Sequence, residues 1–193
     1  MLTPSEFARR WQAEVVARSK LPDDLRLVTA PLGFDATGLA EGARRFLVEA
    51  GLPESCAPFV GFKDVGRGLP RISDIYSPGR WTAEDTGRVA HFRMIGADGA
   101  GNPLCVDVRD GRVVLVDHED HFRTTQFMNS SVEHLAECLL AYHTTPETDR
   151  REALRGVDSA AVEDGAFWIY ETSADNQSAH EETPRAKPWW RFW

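Results

Sequence analysis

Apolar and polar positions trade places most regularly between Phe92 and Tyr142, and the rest of the chain is read outward from that stretch. Phe92 and Met94 alternate with His91 and Arg93, the period of a half-buried strand. Gly96, Gly99 and Gly101 then supply a turn that residues with a Cβ would strain. Leu104, Val106 and Val108 resume the alternation, and Asp110-Gly111 signals a two-residue hairpin. Val113 to Val116 is a short apolar run, as in a strand covered on both faces. A polar loop leads to Asn129-Ser130-Ser131, where Ser130 is placed to cap a helix with Glu133 as the reciprocal half of a capping box. Val132, Leu135, Leu139 and Tyr142 form one apolar stripe on that helix, facing a sheet.

Upstream, Thr3-Pro4-Ser5-Glu6 is a helix start, with Phe7, Trp11 and Val15 on one face and an end near Arg18. Leu25 to Thr29 reads as a short edge strand. Leu39, Ala43, Phe46, Leu47 and Ala50 mark a second helix, which Gly51 and Pro53 close. Ala57 to Phe62 reads as a strand, and Lys63 to Arg88 as a long irregular segment folded back by Leu69, Ile72, Ile75, Tyr76 and Trp81. Downstream, Asp149 to Arg155 is a short charged helix, and Asp158 and Asp164 are each placed to cap a turn. Ala166 to Thr172 fits a turn of helix or a strand, since Phe, Trp, Ile and Tyr favour sheets. Residues 173–193 turn polar and are expected to be disordered, ending in the aromatic run Trp189-Trp190-Arg191-Phe192-Trp193, which is expected to be dispensable for folding. The expected organisation is one α+β domain over residues 1–172, a central, mainly antiparallel sheet of about five or six strands with helices packed on it.

Composition narrows the function. The chain has 193 residues, 42% hydrophobic and 27% charged, and a net charge of −8, which argues against a nucleic-acid binder and is compatible with a basic partner. MLTPSEFARRWQ lacks the basic flank and apolar run of a signal peptide, and no stretch approaches the roughly 18 apolar residues of a membrane span. Cys56, Cys105 and Cys138 are odd in number and widely spaced, which fits a reducing cytoplasm and neither a disulfide framework nor a zinc pattern.

Three places carry candidate chemistry. Asp117-His118-Glu119-Asp120-His121 gathers carboxylates and imidazoles at a strand end, but its His spacing is not that of a helical zinc site; a solvated acidic turn is the favoured reading, and an acidic knob for a cationic partner is a better one than a metal site. The glycine-rich turn Gly96 to Pro103 leads into a strand, with no Lys-Ser or Lys-Thr to complete a phosphate cradle. Ser130, Ser131 and His134 lack a nucleophile elbow, and Cys105 and Cys138 fall at core positions. Nothing here reads as an enzyme, and neither a cofactor nor a metal is expected.

Taken in order, Ile95-Gly96, Gly101, Asn102-Pro103, Asp117-His118 and Asn129-Ser130-Ser131 resemble the SUKH superfamily of bacterial immunity proteins, most closely its fourth group. The segments Phe46 to Pro53 and Gly156 to Trp168 extend the likeness to about two-thirds of the chain, and it tilts Ala166 to Thr172 towards helix. The resemblance implies a binding protein that neutralises a cognate toxin by occlusion, the toxin attacking nucleic acid through a basic active-site cleft. The candidate contact residues are Trp81, Glu84 and Asp85 in the irregular segment, with Asp117, His118, Glu119 and Asp120 at the hairpin end. Gly96, Gly101, Pro103, Asn129, Ser130 and Ser131 are the structural motif. The alternatives are an intracellular scaffold or regulatory module on the same fold, and a small metal-dependent hydrolase built on Asp117 to His121.

Overall fold

A computed structural model describes residues 1–58, 60–62, 66, 68–76 and 81–173, so the expectations for 174–193, the terminal aromatics included, lie outside the described residues. Two short strands, β1 (Leu27–Val28) and β2 (Leu52–Pro53), pair antiparallel. Five more, β3 (Val60–Phe62), β4 (Phe92–Asp98), β5 (Pro103–Asp107), β6 (Val113–Val116) and β7 (Thr125–Asn129), form an antiparallel sheet in chain order. The fold is α+β, as expected.

Alternation decides what each face of that sheet carries. Leu104 and Val106 of β5 and Val113 and Leu115 of β6 point into the main core, while Cys105, Val114 and Val116 point into a smaller cluster on the other side. Both faces are covered, which is why β5 and β6 are buried at every residue.

Helices close the main core. Helix α1 (Pro4–Arg10) begins at Thr3, whose side chain accepts from the Glu6 N–H while Glu6 returns a bond to the Thr3 N–H. The chain continues through a wide turn (Trp11–Val15) and a tight one (Val16–Arg18), keeping Phe7, Trp11 and Val15 buried. Helix α2 (Glu41–Glu49) ends at Gly51, whose φ of +72° and whose close approach to the Val28 carbonyl both exclude a side chain. Helix α3 (Ile72–Ile75) and helix α4 (Ala83–Val89) lie on the opposite face. The long helix α5 (Val132–Thr144) buries Val132, Leu135, Leu139 and Tyr142 on the main core, each contributing on the order of 1.5–3 kcal/mol. Helices α6 (Arg150–Val157) and α7 (Phe167–Glu171) finish it, so Ala166 to Thr172 resolves as helix, with Trp168 fully buried.

Several sequence expectations are corrected. Lys63 to Arg88 contains α3 and α4; these helices are too short for an apolar period, and α4 is announced only by the capping box between Thr82 and Asp85. The polar loop before Asn129 contains β7, a strand disguised by Thr125 and Gln126 at its exposed end. Gly96 belongs to β4 rather than to a turn: a Cβ there would sit 2.1 Å from the Gly61 carbonyl oxygen of β3. The turn itself is organised by Asp98, whose Oδ1 accepts from the N–H groups of Ala100, Gly101 and Asn102, and Gly101 adopts φ +102°. The Asp110-Gly111 hairpin is longer than two residues, because Asp107 donates its N–H to the Arg112 carbonyl and Gly111 turns back to Asp107 at φ +83°.

The helix cap also moves. Ser131, in extended conformation, accepts from the His134 N–H and is the N-cap of α5, so Glu133 is not part of a capping box. Ser130 is committed elsewhere: its N–H and Oγ–H both donate to the Asp158 carboxylate, at 2.7 and 2.9 Å. Asp158 therefore does not cap the turn that follows it, and Ala166, not Asp164, precedes α7.

Candidate functional site

The two segments proposed to meet a partner are far apart in sequence and adjacent in space. Trp81 precedes α4, and the Asp117 to His121 run leaves the end of β6 on the same face of the sheet. They join through Phe122, whose ring stacks on Trp81 at 5.0 Å between centroids with 29° between planes. Tyr76 meets Phe122 edge-on at 5.1 Å. Arg88 of α4 clasps both sides, donating to the Asp85 carboxylate at 2.6 Å and to the His121 carbonyl at 3.3 Å.

The loop is turned back on itself to allow this. His121 and Phe122 are both left-handed, φ +62° and +60°, at a cost of about 1–2 kcal/mol per residue. The Phe122 N–H donating to the Asp117 carbonyl and the ring contacts offset it. Below the rings, the small cluster of Ile72, Val89, Phe92, Cys105, Val114 and Val116 seals this side of the sheet.

The polar groups divide into those used internally and those left over. The Asp85 carboxyl is held below its ordinary value by the Thr82 hydroxyl and then by Arg88. Asp120 is likewise lowered, by Thr124 and the N–H groups of Arg123 and Thr124. Asp117 accepts from the Glu119 N–H. His118 faces Asn102, with its Nδ1 2.9 Å from Oδ1, and so ties the loop to the β4–β5 turn. The Tyr76 hydroxyl donates to the Gly101 carbonyl and the Trp81 indole N–H to the Tyr76 carbonyl, both at 2.6 Å, and burial pushes the Tyr76 phenol up. Glu84 and Glu119 remain exposed with no partner among the described residues.

Sequence reasoning named Trp81, Glu84, Asp85, Asp117, His118, Glu119 and Asp120, and the structure brings the two segments that carry them together through the Trp81–Phe122 contact and Arg88. It missed Phe122, Tyr76 and Arg88, which make the contact; Phe122, between His121 and Arg123, carried no pattern to mark it. The structural motif separates: Gly101 sits under Tyr76, while Asn129, Ser130 and Ser131 serve the main core. There the fully buried Asn129 receives the Trp168 indole N–H at 3.0 Å and donates to Asp158.

Among the described residues no three His, Cys, Asp or Glu side chains converge to hold a metal ion. A cleft of about 260 Å³ is lined by Asp35, Thr37, Leu69, Arg71, Asp74 and Arg93, and another of about 190 Å³ by residues near Met1 and Phe46. Neither is lined by the Asp117 to His121 loop. The three cysteines are free and buried, and burial pushes each thiol up, Cys138 to about 12. No helix of the described residues is long and apolar enough to cross a membrane.

The model of the SUKH-4 immunity protein family matches residues 9–170, all seven candidate residues among them, and the chain belongs to that family. Comparison with curated proteins and with solved structures found no match.

Proposed function

We propose that this protein neutralises a cognate toxin by laying the rim of α4 and the Asp117 to His121 loop over the toxin's basic, nucleic-acid-cleaving cleft, with no reaction catalysed. Membership of an immunity family supports a toxin partner. The observation that carries the choice of face is the Trp81–Phe122 stack, which unites the two acidic segments. The net charge of −8 supports a cationic partner. Residues 1–172 are the working unit, acting in the cytoplasm as one half of a polymorphic toxin system.

The test is association kinetics with the toxin encoded beside the gene. Exchanging Glu84, Asp85, Glu119 and Asp120 for Lys slows association by about tenfold or more and removes most of its salt dependence. Unchanged kinetics in a variant that circular dichroism shows to be folded would place the interface elsewhere.

A further inference from the structure

The rim has a finer chemistry. The polar ends of both large aromatics are spent inside the protein, the Trp81 indole N–H on the Tyr76 carbonyl and the Tyr76 hydroxyl on the Gly101 carbonyl. What the half-buried stack has left to offer is the negative faces of its rings. Of the five rim carboxylates, Asp85, Asp117 and Asp120 are engaged within the fold, and Glu84 and Glu119 are exposed and unpartnered among the described residues. Arg88 is turned away onto Asp85 and the His121 carbonyl.

We infer that the Trp81–Phe122 stack is a seat for an arginine side chain presented by the partner protein, with Glu84 and Glu119 as its counter-charges. Ring faces attract a flat, weakly hydrated guanidinium, and an exposed carboxylate on each of the two segments that supply the rings, Glu84 after Trp81 and Glu119 before Phe122, complements its charge and its fork of donors. The inference rests on the proposed toxin-binding face but is tested without the toxin.

The probe is acetyl-Gly-Arg-Gly-amide, titrated into the 15N-labelled full chain, with peptides carrying citrulline or lysine in place of arginine as separate arms. The Trp81 indole resonance is identified by its loss in Trp81→Phe. The expected result is a saturable shift of that resonance and of the Phe122 and Glu119 amides with the arginine peptide, and none with citrulline. Trp81→Leu weakens the response about two- to fivefold, the size of an exposed cation–π contact. Glu84→Gln with Glu119→Gln, both at exposed positions, also weakens it. Equal shifts from citrulline, or shifts indifferent to the Gln variants, overturn the seat, and a lysine peptide as effective as arginine overturns the guanidinium assignment. An intact peptide response alongside unaltered toxin kinetics in the charge-reversed protein upholds the seat and fails the toxin-interface reading instead.

Discussion

At the scale of single residues, neighbours of the same type do unrelated work. Ser131 caps α5, and Ser131→Ala should cost about 1 kcal/mol in denaturant unfolding with the slope unchanged. Ser130 instead helps satisfy Asp158, whose carboxylate takes three donors from Asn129 and Ser130 inside the core. Asp158→Ala strands those donors and should cost about 3 kcal/mol, more than the cap, and a smaller loss than that of Ser131→Ala would contradict the network. The Ser-Ser pair was legible as a cap, but which serine it was depended on Asp158, 28 residues away, and no local pattern reports that.

His91 is a second case. Burial outweighs the nearby Asp107 and holds the imidazole below its ordinary value of 6.5, while the Arg109 fork and N–H overcome the burial of Asp107 and hold that carboxyl down. Both groups bind protons more weakly folded than unfolded, so both contributions are lost as pH falls: His91's from about pH 6.5 downward, Asp107's below the carboxylate range. Urea midpoints at about pH 7.5 and 5.5 should therefore differ less in His91→Gln than in the parent protein.

At the scale of elements, what was readable was periodicity long enough to repeat. The helices α1, α2 and α5 and the strands β4 to β6 showed it; α3, α4 and β7 are too short or too polar to show it. The glycines behaved differently again, since a strand glycine and a turn glycine look alike in sequence. Gly96 is the strand kind, fitted against the Gly61 carbonyl. Gly96→Ala should part β3 from β4 and cost more than about 2 kcal/mol, whereas alanine at Gly87, which faces open space, should be near neutral or stabilising. Thermal unfolding of the two variants side by side checks this.

At the scale of the whole molecule, the sheet separates two hydrophobic clusters of unequal size. The larger one, against α1, α2 and α5, makes the fold; the smaller one carries α3, α4 and the loop bearing the rim. The seven candidate residues were named from sequence because acidic runs and a tryptophan stand out, and how their two segments meet was not legible, because Phe122 and Arg88 close the gap through tertiary contacts.

That division has a consequence for how such a protein changes over generations. A defender must track an attacker that alters its own surface, and every revision risks unmaking the defender. Here the proposed contact surface rests on one side of a five-stranded wall, and the greater part of the buried apolar residues rests on the other. Glu84 and Glu119 hold nothing in place among the described residues, so new charges can be tried there while Trp11, Leu139 and Trp168 keep the architecture standing.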